Sequence, residues 1–269
     1  MKAQISIIGC GWLGLPLAEF LIAKGYEING STTSKSKLQI LKNASINAFQ
    51  IQLSENGISG EVDNFLMRSE TVIINIPPGL RKNPNKNHVL EIEHLVRAIE
   101  AQHIKHVIYI SSTSVFEDET HFPVIDSATF PNAASTSSKQ LIAIEDMLKA
   151  NTNFSTTIIR FGGLIDEHRH PAKYLSGRNN IPNPDAPVNL IHKMDCIEII
   201  AATLEIGLWN KSINAVYPNH PTKQAYYSKY CNEQGLALPV FNTSNQSKGK
   251  IVESSDVERL LNYTFKHTL

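Results

Sequence analysis

The chain has few cysteines. Cys10, Cys196 and Cys231 are its three, far apart in sequence. That spacing excludes a disulfide framework and a cysteine-built zinc site, and it fits a reducing compartment. Charge of one sign is also missing: 25 Lys and Arg stand against 25 Asp and Glu, a net charge of zero. A nucleic-acid or other polyanionic partner is therefore not expected. Repeats and low-complexity linkers are absent. Charged residues make up only 19% against 42% apolar ones, so a core can be buried and wholesale disorder is excluded. The 269 residues suit one large domain or two small ones.

Nor is there a convincing membrane segment. Ile5 to Ala23 is apolar except for Ser6 and Glu19. A span there would bury Glu19 and tolerate three glycines and a proline. Lys2 and the Ile7-Ile8-Gly9-Cys10 tetrapeptide imitate a lipoprotein leader, but the apolar run before Cys10 is only about six residues, too short for a secretory core. No targeting segment and no membrane partner are expected, and the cytoplasm is the expected location.

What is present begins with a strand. Ala3 to Ile8 is a β-type run that enters Gly9-Cys10-Gly11-Trp12-Leu13-Gly14. A helical pattern follows, with Leu13, Leu17, Phe20 and Leu21 on one face and Gly25 at its end. Tyr26 to Gly30 is a second short strand. A G-x-G-x-x-G set between strand and helix predicts dinucleotide binding. Gly9 allows the tight turn, Gly11 lets a pyrophosphate approach the backbone, and Gly14 lets the helix pack close. The helix N-terminus offers N–H groups and a positive dipole end to phosphate. Trp12 and Leu13 fall inside this turn, Trp12 either packing beneath it or stacking near the cofactor.

The end of the second strand reports cofactor type. An NAD-specific site places an acidic residue there for the ribose 2′-hydroxyl. Here Ser31, Thr32, Thr33, Ser34 and Lys35 to Lys37 supply hydroxyls and two lysines, with no carboxylate. NADP(H) is expected over NAD(H), with Ser31, Thr32, Thr33 and Lys35 as contacts. Alternatively, Ser34 only caps a helix starting near Ser36.

Strands and helices then alternate. Ala48–Leu53, Thr71–Ile76, Val107–Ile110 and Thr156–Phe161 are predicted strands. Val62–Met67, His88–Gln102 and Lys139–Ala150 are predicted helices. This order implies an α/β fold, a doubly wound parallel sheet of the Rossmann type with right-handed crossovers. Its ligands bind at the carboxyl ends of strands, which points to Ile76, Pro77, Ser111 to Phe116, and Phe161 to Leu164. After about residue 167 the pattern weakens. His168 to Pro187 reads as a loop, Val188–His192 as a strand, Asp195–Leu208 as a helix, and Tyr226–Gly235 and Ser255–Asn262 as small helices. The expected division is a dinucleotide-binding core over residues 1–167 and a smaller, interleaved substrate-side lobe over 168–269, with 212–217 returning to the sheet.

With these residues assembled, the chain resembles the extended short-chain dehydrogenase/reductase superfamily, the NAD-dependent epimerase/dehydratase group. The likeness covers most of the chain. It rests on the glycine set, Ser111-Ser112-Thr113-Ser114-Val115-Phe116, Ser138-Lys139 with Glu145, Arg160-Phe161-Gly162-Gly163-Leu164, and Asn189-Leu190-Ile191-His192 with Asp195. Within it the chain is similar to the YeeZ-like branch, sharing the Gly-Trp-Leu-Gly-x-Pro-Leu-Ala start, His170-Pro171 and Lys248-Gly249-Lys250. The resemblance implies a serine, a tyrosine and a lysine as catalytic groups, a hydride carried by the nicotinamide, and a homodimer through the helices at Val89–Gln102 and Leu141–Ala150. The serine falls on Ser112 and the lysine on Lys139. The tyrosine position holds Ser135, whose hydroxyl is shorter and far less acidic than a phenol of pKa about 10. His168, His170, Tyr174 and His121 are candidate replacements for the proton step. Thr113 and Ser114 occupy the places of the dehydratases' Asp-Glu pair, which argues against elimination. Leu53-Ser54 lacks the aspartate the family often places near the adenine. Near His168 and His170 no cysteine completes a ligand set and the nearest acids are Asp166 and Glu167, so no metal is expected. His192 and Asp195 read as a strand end and a helix cap.

Three functions remain open on this reading. One is an NADP-dependent oxidoreductase or epimerase acting on a small polar molecule such as a nucleotide sugar. Another is a cofactor-binding sensor or scaffold without turnover. The third is a β-hydroxyacid-type dehydrogenase, whose second domain is all-helical.

Overall fold

A computed structural model describes residues 3–269; Lys2, weighed with the leader, lies outside them. Seven strands form the central parallel sheet: β1 (Gln4–Ile8), β2 (Glu27–Thr32), β3 (Asn47–Gln50), β4 (Ser69–Ile74), β5 (His106–Ser112), β6 (Ser155–Phe161) and β7 (Lys211–Ala215). Their order is 3-2-1-4-5-6-7. The expected Rossmann-type α/β fold is therefore what the chain adopts. The inner strands β1, β4 and β5 carry apolar runs because both sheet faces are covered. Ile5, Ile7 and Ile8 of β1, Ile73 and Ile74 of β4, and Val107 and Ile108 of β5 are all buried.

The strand order reverses between β1 and β4. The connections from these neighbours run to opposite sides, which opens a crevice at their carboxyl ends. The segments bordering it are the turn from β1 into α1 (Gly14–Ala23) and, beyond α2 (Leu38–Asn43) and α3 (Val62–Leu66), the stretch after β4 that leads to α4 (His88–Ala101). The helix expected from Lys139 begins earlier, as α5 (Thr136–Ala150), because Ser135 caps it and adds a turn.

Two interleaved compact units emerge. The first comprises residues 1–111, 135–159 and 200–212, and the second 112–134, 160–199 and 213–269. The chain passes between the units five times, the last of them at 212–213, beside the segment expected to return to the sheet. The weak periodicity after residue 167 marks a change of packing partner, which spacing alone does not display.

The second unit is held by short elements. Gly163–Ile165 pairs with Leu190–His192, and Val124–Ile125 with Ile251–Val252, both parallel. Ile165, Val188, Leu190, Tyr226 and Tyr227 share one apolar cluster. The 168–187 stretch contains a short helix (Pro171–Leu175), where a loop was expected. His170 starts it: its Nδ1 accepts the Ala172 N–H at 3.2 Å while Nε2 pairs with the Tyr226 hydroxyl at 2.8 Å. Its ring stacks on Tyr230 at 3.7 Å. Burial pulls its pKa down to about 4. Asp195 is not a cap. It is fully buried and accepts from the Tyr263 hydroxyl at 2.6 Å and the Lys266 N–H at 2.9 Å, fastening the C-terminal stretch.

Candidate dinucleotide site

The glycine turn is built by close approach. Gly9 has φ +102°, and a Cβ there would lie 2.4 Å from the Asn75 carbonyl oxygen. A Cβ on Gly14 would lie 2.2 Å from the Gly9 carbonyl oxygen. Both glycines are required by the protein's own packing. Gly11 differs, since a Cβ there would meet nothing within 4 Å. Packing does not demand glycine at 11, and the open space is what an approaching pyrophosphate needs. The first turn of α1 carries no acidic residue, and no side chain caps it. Its positive end is thus available to an anion. These features fit a dinucleotide, whose nicotinamide supplies hydride exchange when bound.

The cleft beside this turn has a volume of about 270 Å³. Gly9, Cys10, Gly11, Ser31, Thr32, Thr33, Ile76 and Pro77 line it, as do Lys37, Ile51, Leu53, Asn75, Lys86 and Glu91. Leu13 and Gly14 are buried behind it, and Trp12 is half-buried and not in its lining. Ser31 ties the two strands together: its hydroxyl accepts the Gly9 N–H at 3.0 Å, and its carbonyl accepts the Cys10 N–H at 2.8 Å. Burial pushes the Cys10 thiol up to about 12, so it carries no thiolate.

Of the two lysines after β2, Lys37 lines the cleft, whereas Lys35 is exposed outside it. The chain makes a 3₁₀ turn over Lys35–Lys37. Residues two apart on such a turn point some 120° away from each other. Ser34 precedes this turn without a side-chain capping bond. The third strand is shorter than expected, because Gln52–Ser54 instead forms a hairpin with Gly57–Ser59. That hairpin brings Leu53 to the cleft wall beside Ile51, an apolar surface where the family's aspartate is missing. Asn75 is a further site residue missed by spacing, with its Nδ2 donating to the Gly9 carbonyl at 3.1 Å. A polar residue closing the apolar run 71–76 was its only local signal.

Ser111 is an expected cofactor contact. It is buried, and its hydroxyl donates to Glu145 on α5 at 2.7 Å, away from the cleft lining. Phe161 is buried in β6, outside the lining of the glycine-turn cleft. Ser135 and Lys139 lie at the start of α5, both exposed. The Ser135 hydroxyl accepts the Ser138 N–H at 3.2 Å and lies 2.7 Å from the Ser138 hydroxyl. Ser135 therefore serves as a helix cap. Lys139 lines a second cleft with Lys86, Thr136 and Gln140.

Ser112 belongs to the second unit. It lines a cavity of about 360 Å³ with Ser114, Asn183, Asn189, Tyr227 and three lysines, Lys223, Lys248 and Lys250. Lys250 is buried and donates to the Phe116 carbonyl and to Asp118, both at 2.7 Å. Lys223 donates to the Pro182 carbonyl at 2.9 Å, and burial pulls its pKa down. Lys248 is exposed. Of the candidates for the proton step, His168, His121 and Tyr174 are exposed and His170 is sequestered. Among the described residues no cluster of His, Cys, Asp and Glu could hold a metal. No helix among them is long and apolar enough to cross a membrane.

The fold and this cleft define an NAD(P)-binding protein of the Rossmann type. The family described as NAD(P)H-binding matches residues 9–189, and the chain belongs to that family. It is 28% identical over 267 residues to Protein YeeZ of Escherichia coli strain K12, covering 98% of this chain and 96% of the relative. MoeE5, solved with UDP-glucose and NAD, matches with a TM-score of 0.79 at 16% identity, over 99% of this chain and 94% of that one. UDP-glucose 4-epimerase of Thermotoga maritima matches with a TM-score of 0.79 at 15% identity, over 98% of this chain and 94% of that one. These two similarities establish the shared fold. The parallel strand pairs of the second unit are not the all-helical domain of β-hydroxyacid dehydrogenases.

Proposed function

We propose that the protein binds NADP(H) in preference to NAD(H) and is an oxidoreductase or epimerase acting on a small anionic substrate, with nucleotide sugars as the first class to test. The observation that carries the cofactor half is the open space before Gly11 in a cleft lined by Thr33 and Lys37, where the end of β2 brings no carboxylate. A 2′-phosphate meets donors there and no repulsion. Lys223, Lys248, Asn183 and Asn189 around Ser112 support an anionic substrate. So do structural relatives solved with UDP-glucose. Ser112 and Lys139 keep the serine and lysine of the superfamily's catalytic set. The cytoplasm and a homodimer belong to the same reading.

A second reading is a cofactor-binding sensor or scaffold without turnover. The capping role of Ser135 favours it, because a capped serine does not replace a phenol as proton donor. Titration of the purified protein with NADPH and NADH, followed by cofactor fluorescence, tests the first step. Hydride transfer is then assayed with UDP-glucose and UDP-glucuronic acid. Turnover abolished by Lys139→Ala supports the enzyme; tight NADPH binding with no turnover supports the sensor.

A further inference from the structure

One cation in the cleft has no place in the glycine motif. Lys86 lies on the stretch between β4 and α4 and lines both the dinucleotide cleft and the adjoining cleft of Lys139. Its main chain is pinned on both sides. Its carbonyl accepts Gln140 Nε2 at 3.0 Å, and its N–H donates to the Asn83 carbonyl at 3.2 Å. Gln140 Oε1 also takes the N–H of His88 at 2.6 Å. The side chain is thereby held at the wall while its Nζ sits 2.7 Å from Glu91 Oε2.

Glu91 is the puzzle. A carboxylate only 4% exposed lines a cleft suited to anions. Unneutralised, it would repel phosphate and bear a heavy desolvation cost. It is held in place by the fully buried His88, whose Nδ1 lies 2.8 Å from the same oxygen. Burial pulls the His88 pKa down, although Glu91 opposes that, so the ring is neutral near pH 7. The positive charge beside Glu91 is therefore that of Lys86. An ammonium has three donors. This one is ion-paired with Glu91 and lines the cleft, where donors are available to a ligand.

We propose that Lys86 is a binding residue for the pyrophosphate of the dinucleotide, facing the glycine turn from the opposite wall and oriented by Glu91. This rests on the cofactor reading above. It separates two tasks in one cleft. Lys86 meets the part common to NADPH and NADH, and Lys37 meets only what the 2′-phosphate adds.

The test is a fluorescence titration of the full chain with NADPH and with NADH. A charge-assisted contact of this kind corresponds to roughly a 10- to 100-fold loss of affinity on removal. Lys86→Ala is expected to weaken both cofactors by the same factor, and Lys86→Arg to hold affinity within about threefold, since it keeps the charge. The double variant Lys86→Ala/Glu91→Ala separates binding from mere neutralisation. If Lys86 contacts phosphate, the double variant stays weak. Recovery of wild-type affinity in it would overturn the proposal, because Lys86 would then only cancel Glu91. Unchanged affinity in Lys86→Ala would overturn it too, with the cofactor reading left standing. Failure of the wild-type protein to bind either cofactor overturns both. Lys86→Gln replaces Lys86→Ala should the latter not fold.

Discussion

Adding one methyl group at Gly11 and, separately, at Gly14 should have opposite consequences. At Gly11 the new Cβ meets no atom within 4 Å, and the backbone is outside the left-handed region. Gly11→Ala should therefore gain about 0.4–1 kcal/mol, because alanine narrows the unfolded ensemble. In a domain of this size that raises Tm by roughly 1–4 °C. The same methyl occupies the space through which a pyrophosphate reaches the backbone, so NADPH affinity should fall at least about tenfold, or roughly 1.4 kcal/mol. At Gly14 the Cβ would stand 2.2 Å from the Gly9 carbonyl oxygen. Backbone has to shift by about an ångström to relieve it, an overpacking cost of about 1–3 kcal/mol. Gly14→Ala should lower Tm by roughly 2–12 °C. Thermal unfolding by circular dichroism and NADPH fluorescence titration read the two effects separately. A Gly11→Ala protein that melts early and binds NADPH normally would refute the reasoning, because glycine at 11 would then serve packing and not ligand approach.

Lys37→Ala should weaken NADPH about 10- to 100-fold and leave NADH within about twofold; equal losses for the two cofactors would count against a 2′-phosphate contact. Ser135→Ala should cost about 0.5–2 kcal/mol of stability through the lost cap while NADPH affinity holds, as urea unfolding and titration would show. Loss of hydride transfer at unchanged stability would instead make Ser135 chemical. Acid should weaken the fold through His170, whose pKa is pulled from 6.5 to about 4 by burial. The unfolded chain takes up this proton first, so the contribution is complete above about pH 6.5 and is lost as pH falls towards about 4. Urea unfolding at pH 7.5 and pH 5.0 should differ by about 2 kcal/mol from this group. His170→Asn, which keeps an acceptor for the Ala172 N–H, should remove that difference. An identical pH slope in the variant would show that another group titrates.

The strand–turn–helix unit at the start of the chain is legible because its determinants are local. An apolar run, three spaced glycines and a periodic face occur within about 25 residues, and each acts on its near neighbours. The alternation that sets the fold class is local in the same sense. Boundaries moved where one polar group decided them, as Ser135 did by capping α5. What the residues do at the site was less legible. Ser111 looks like a ligand contact in sequence, and a partner 34 residues away, Glu145, takes its hydroxyl. Asn75 fastens a turn 66 residues distant, and Lys250 of the Lys-Gly-Lys stretch anchors to Asp118, 132 residues away. Lys35 and Lys37 look equivalent until a 3₁₀ turn points only one into the cleft. Propensity and periodicity, which depend on neighbours along the chain, thus determined the sheet, its order of elements and the presence of a dinucleotide turn. Hydrogen-bond partners, burial of charge and the side of a turn that faces a cleft depend on where distant segments cross, and only the tertiary structure decided those.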